Sequence, residues 1–108
     1  MSEVKLIEPR DLNLLHEKGE KLYVVDVRTP DEYQEVRAAI VAELMPLDRF
    51  DPEQLSAQPS DKIFFICRSG RRSYEAASQA AIHGFEEVYN VEGGTLEWEA
   101  QGLPIERG

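Results

Sequence analysis

Two stretches of the chain are apolar almost without interruption. Residues 22–27, LYVVDV, and 62–67, KIFFIC, carry β-branched and aromatic side chains at consecutive rather than alternating positions. A strand that is apolar on both sides has both faces covered, the condition of a parallel sheet with helices above and below it. EVYNV at 87–91 and the short KLI at 5–7 extend the pattern. AIVAEL, at 39–44, predicts a further strand.

Helical spacing fills the intervals. Residues 10–18 put Leu12 and Leu15 on one face, with Leu14 as a candidate third, and Gly19 follows as a cap. TPDE at 29–32 is the clearest helix start: Thr29 caps, Pro30 fits the first turn and Glu32 completes a capping box. That helix should run to 36–38. Asp51-Pro52-Glu53 starts a short helix ending near Ala57. Residues 73–83, SYEAASQAAIH, predict a helix of small residues stopped by Gly84. Gly93 and Gly94 make a turn, and TLEWEAQG closes the chain as a helix with Trp98 packed inward.

The strands and helices alternate with no room for hairpins. This predicts a single α/β domain over residues 1–108, in three α/β/α layers around a five-stranded, mostly parallel sheet. Ligands of open α/β sheets gather at the carboxyl ends of the strands. DVR at 26–28 and CRSGRR at 67–72 both fall at such ends.

Composition narrows the partners. At 108 residues, 42% hydrophobic and 31% charged, the chain is an ordinary globular mixture. A formal net charge of -9 argues against nucleic acid or an anionic membrane surface as partner, since both need a basic footprint. No run approaches the roughly 20 apolar residues of a membrane span, and no signal-peptide core opens the sequence, so a cytoplasmic location is expected. Cys67 is the only cysteine, which excludes an intrachain disulfide and a multi-cysteine metal cluster. His16 and His83 have no metal-ligand spacing, and neither a metal nor a cofactor is expected. His16 belongs on a solvated helix face, and His83 suits the negative end of its helix.

Three arginines crowd this lone thiol in an acidic protein. A cysteine ending an apolar strand is, by identity alone, more often a small buried hydrophobe. Arg68, Arg71 and Arg72, with Gly70 between strand and helix, weigh against that, because a core thiol needs no cations around it. If the loop curls about Cys67, the amides of 68–72 point inward and the next helix adds its positive end. Such surroundings lower a thiol pKa from its usual value of about 8.5. Gly70 permits the tight path. Arg72 is expected to face a bound dianion, while Arg68 and Arg71 suit the mouth. Asp26 and Arg28 either contact substrate or stiffen the site, with Glu32 one helical turn away as a partner for Arg28.

DVRTPDEY (26–33), CRSGRRS (67–73), GFEEVYNVEGG (84–94) and Trp98 with GLPI (102–105) together resemble a single-domain rhodanese, in order and spacing. The resemblance spans nearly the whole chain. It implies a five-stranded sheet in the order 1-5-4-2-3 with the cysteine strand central. It also implies that Cys67 takes sulfur from thiosulfate or another sulfane-sulfur donor and holds it as a persulfide. Arg68, Ser69, Gly70, Arg71 and Arg72 would form the substrate loop, with Asp26, Arg28 and Glu32 in support. Cyanide, a small thiol or a thioredoxin-like protein would accept the sulfur. One segment departs from the family: VRAAIVAELMP (36–46) lacks the glycines and histidine usual there, and Arg37, at the histidine's place, reads as solvent exposed.

Two other functions compete. A tyrosine phosphatase loop has five residues between cysteine and arginine, but Arg72 follows Cys67 after four, and Ser73 stands where that arginine would fall. A sulfur-carrier or protein-interaction module would show the same persulfide to a protein partner without turnover of its own.

Overall fold

The computed structural model describes residues 3–108. Strand β1 (Val4–Ile7) leads into helix α1 (Pro9–Glu17), which begins on its proline because a missing N–H costs nothing in the first turn. Strand β2 (Tyr23–Asp26) is followed by helix α2 (Pro30–Glu35). The capping box at its start is present: Thr29 accepts from the Glu32 amide, and the Glu32 carboxylate accepts from the Thr29 amide. Strands β3 (Arg37–Ala38) and β4 (Glu43–Leu44) come next, then β5 (Lys62–Ile66), helix α3 (Arg71–His83), β6 (Glu87–Val91), helix α4 (Gly94–Ala100) and β7 (Ile105–Glu106).

Five strands form one parallel sheet in the order β1-β6-β5-β2-β4. Numbered among themselves, these are strands 1-5-4-2-3, the order the resemblance implies, with the cysteine strand central. The apolar runs are explained by the two faces. Val25, Phe65 and Val88 meet the alanines of α3, Ala76, Ala77 and Ala80. Val24, Phe64, Ile66 and Val91 face the other way, against Leu12 of α1 and Trp98 of α4. Trp98 is fully buried, and its indole N–H donates to the Pro104 carbonyl at 2.7 Å. Phe85 is buried and Tyr89 stacks on Phe64 with centroids 4.6 Å apart. Tyr74 is exposed and Leu14 lies outside the core, so neither packs inward.

The atypical 36–46 segment differs from expectation. The strand predicted over 39–44 is confined to Glu43–Leu44, and residues 39–40 turn instead. Just before that turn, Arg37–Ala38 pairs antiparallel with Ile105–Glu106, a small second sheet that the sequence pattern did not announce. Ile40 and Val41 pack on the Trp98 face of the core, which is why an apolar run here needs no ladder of its own. Arg37 is not solvent exposed. Its guanidinium donates to the carbonyls of Tyr33 (3.1 Å) and Gly108 (3.2 Å), lies 4.7 Å from the Tyr33 ring centre and pairs with Glu106 at 3.6 Å. The helix expected over 51–57 is reduced to one 3-10 turn, Pro52–Gln54, capped by Asp51, and a separate 3-10 turn at Leu47–Arg49 precedes it.

Candidate active site

Cys67 follows the last residue of the central strand, and Arg71 begins α3. The intervening loop is turned so that amides face the sulfur. Gly70 N–H donates to Sγ at 3.0 Å, and the Ser73 hydroxyl lies 3.2 Å from it. Gly70 holds φ +106°, a conformation that side-chain-bearing residues rarely adopt.

What turns the loop is the way its carbonyls are held from behind. The Cys67 carbonyl accepts from both the amide and the hydroxyl of Thr95, at 2.8 and 2.9 Å. The Arg68 carbonyl accepts from Leu96 N–H at 3.1 Å, and the Gly70 carbonyl from Asn90 Nδ2 at 3.0 Å. With these oxygens engaged on the β6–α4 side, the neighbouring amides are left facing the sulfur. The approach is close: a Cβ on Gly94 would stand 2.5 Å from the Cys67 carbonyl oxygen.

Cys67 is 1% exposed, so residue burial and activation coexist here. Burial, the largest single influence, pushes the thiol pKa up. The Ser73 hydroxyl and the amides of Ser73, Gly70 and Ser69 push it down, and together they hold it below its ordinary value. The positive end of α3 favours the anion in the same direction.

The supporting charges pair differently from expectation. Asp26 is fully buried and Arg28 only 3% exposed. Arg28 donates to the Asp26 carboxylate through Nε (3.0 Å) and Nη2 (2.8 Å), and Nη2 also reaches the Val36 carbonyl at 2.6 Å. This pair ties the end of β2 to the exit of α2 and leaves Arg28 little free surface. Glu32 therefore does not pair with Arg28. It takes Arg72, with Nη1 to Oε1 at 2.8 Å and Nη2 to Oε2 at 3.0 Å. The Arg72 hydrogen bonds hold the Glu32 carboxyl down to about 2, against the opposing effect of burial.

Arg72 is thus not turned free toward an anion. Arg68 and Arg71 are exposed, and neither forms an ion pair among the described residues. Ser69 is exposed beside them. A cleft of about 530 Å³ is lined by Ser69, Arg71, Arg72 and Glu75. A second, about 560 Å³, shares Arg72 and Glu75 and reaches Val27, Pro46 and Leu47. The rim of this cleft therefore includes Pro46, the last residue of the 36–46 segment, with Leu47 and Asp48 after it. His16 and His83 are exposed and remote from the loop in sequence.

Sequence reasoning missed three residues. Ser73 stood within the quoted CRSGRRS stretch without a role. Asn90 and Thr95 carried no local signal, because a strand asparagine and a first-turn threonine are unremarkable until the fold sets them behind the loop.

Residues 8–101 match the family described as the rhodanese-like domain. The chain is 36% identical over 104 residues to a putative sulfurtransferase of Bacillus subtilis, covering 94% of this chain and 97% of that one. It is 34% identical over 86 residues to a thiosulfate sulfurtransferase of Vibrio cholerae, covering 78% of each. Among solved structures it is similar to a rhodanese-like domain protein from Staphylococcus aureus, with a TM-score of 0.83, 26% identity and coverage of 97% and 99%.

Proposed function

From the premise that this chain belongs to the rhodanese-like domain family, we propose that it is a sulfurtransferase that moves sulfane sulfur from thiosulfate through a persulfide on Cys67. The observation that carries the reading is the sulfur environment: Sγ accepts the Gly70 amide at 3.0 Å and stands 3.2 Å from the Ser73 hydroxyl. Those donors stabilise an anion on sulfur and remain in place while the sulfur reacts, so little reorganisation is needed.

The chemistry follows in two steps. The Cys67 thiolate attacks the outer sulfur of thiosulfate; a new S–S bond forms, the old one breaks, and sulfite leaves with its electron pair. Cys67 then carries a persulfide anion. Cyanide, a small thiolate or a thioredoxin-like protein attacks the outer sulfur of that persulfide, and the electron pair returns to Cys67. This is covalent catalysis by one activated nucleophile. In this reading the loop of Arg68, Ser69, Gly70, Arg71 and Arg72 binds the donor, and Asp26, Arg28 and Glu32 support it. The exposed Arg68 and Arg71 favour an anionic donor, because they offset locally the repulsion from a chain of net charge -9. No helix of the described residues is long and apolar enough to cross a membrane. A free thiol that must stay reduced between turnovers fits the cytoplasm.

Intact-mass measurement after thiosulfate treatment tests the reading. One extra sulfur, removed by reductant and absent from Cys67→Ala, is the expected result. No added sulfur on the wild type would end it, and turnover with a protein persulfide but not with thiosulfate would favour the carrier module.

A further inference from the structure

We infer that Glu32 sets the donor preference of this site by competing with anionic donors for Arg72. The inference rests on the sulfurtransferase reading and goes beyond it, because it assigns the selectivity between donors of different charge to a residue that itself binds no donor. Three observations carry it. The pair is bidentate, 2.8 and 3.0 Å, between residues 40 apart that sit in the first turns of α2 and α3. Arg72 lines both large clefts beside the cysteine loop, about 560 and about 530 Å³, whereas Glu32 lines neither and opens instead on a smaller one of about 170 Å³ with Arg28 and Arg68. An anion entering either large cleft therefore meets a guanidinium whose charge is already matched from the far side.

The competition is between like groups. A carboxylate and the oxyanion face of thiosulfate both suit the fork of an arginine, so they are alternatives for the same donors. Thiosulfate brings a double negative charge and gains most from Arg72 once it is released. A neutral reagent gains nothing from that release. Neither side chain is deeply buried, at 35% and 27% exposed, so the clamp is weak enough for a ligand to displace. Glu32 stays ionised down to about 2, so acidification in the working range leaves the clamp intact and only a competing anion opens it.

The test compares Cys67 reaction with anionic iodoacetate and neutral iodoacetamide, beside thiosulfate kinetics, in the full chain. Glu32→Gln keeps an oxygen for the α2 cap. It is expected to raise the iodoacetate-to-iodoacetamide rate ratio about two- to fivefold, the range an exposed ion pair commands. The KM for thiosulfate should fall by a similar factor, with a smaller change in kcat. In the Arg72→Gln background the same Glu32→Gln change should give no gain, since there is nothing to release. Thr29→Ala removes the cap partner but leaves the clamp, and should not raise the ratio. An unchanged or lower ratio in Glu32→Gln overturns the inference. So does a gain that persists without Arg72, which would be simple removal of negative charge, or an equal gain in Thr29→Ala. A shifted ratio without persulfide formation from thiosulfate would sustain the clamp while ending the thiosulfate reading.

Discussion

Ser73 Oγ lies 3.2 Å from Cys67 Sγ, and both are buried. The same oxygen stands 2.5 Å from Asn90 Oδ1, so a single hydroxyl proton faces two acceptors. With a thiol, that proton rests with Asn90. With a thiolate it can turn to the sulfur, where a hydrogen bond to charge is stronger. Ser73→Ala removes this donor, and the thiol should titrate at higher pH than in the wild type. Iodoacetamide alkylation followed against pH measures it. At neutral pH the rate should fall about tenfold, in keeping with a charged hydrogen bond of roughly 1.5–3 kcal/mol.

The Asp26–Arg28 pair predicts a stability effect rather than a substrate effect. Asp26→Asn leaves the Arg28 charge buried without its partner, a change that costs about 3–5 kcal/mol. Thermal unfolding at pH 7 should show Tm lower by more than ~10 °C. Replacing both residues by Leu and Met should recover part of the loss, because no stranded charge remains.

Glu32 gives a pH signature. Its carboxyl titrates at about 2 when folded, below the model-compound value of 4.5, so the folded state binds the proton less readily than the unfolded one. The stabilisation is complete above about pH 4.5 and is lost as pH falls toward 2. Denaturant titrations between pH 5 and 2 should show wild type losing stability faster than Glu32→Gln over that window. Parallel curves would contradict the depressed value.

Two glycines with left-handed backbones should respond differently to alanine. Gly19, at φ +80°, has nothing within 4 Å of an added Cβ. Gly19→Ala should cost about 1–2 kcal/mol in unfolding free energy and leave sulfur transfer intact. Gly94→Ala carries the same backbone penalty and drives the new methyl into the Cys67 and Arg68 carbonyls. Displacing the loop by a fraction of an ångström should lower kcat/KM about 100-fold. Steady-state kinetics on both variants separates the cases.

Much of this was legible from local pattern, and what was missed shares a cause. LYVVDV and KIFFIC announced a sheet covered on both faces, and the capping box at Thr29 is built as its spacing required. The strand order followed from family resemblance rather than from periodicity. The glycine-bearing loop after β5 did curl its amides onto Cys67. The partner of Glu32 was out of reach because Arg72 lies 40 residues on, while Arg28 was the nearer cation in sequence. Arg37 looked exposed because two of its partners, Glu106 and Gly108, lie about 70 residues on in the sequence; only Tyr33 is near. AIVAEL misled because an apolar stretch can satisfy burial as a turn packed on Trp98 as well as by a full strand.

The donors that hold the loop carbonyls, on Asn90, Thr95 and Leu96, all come from the final quarter of the sequence. In the unfolded chain none of those contacts exists, so the lowered thiol pKa belongs to the folded domain and not to the CRSGRR stretch by itself. The acidity of Cys67 is thereby coupled to how β6 and α4 pack behind the loop, and a change in that packing would be felt at the sulfur without any residue of the loop being altered.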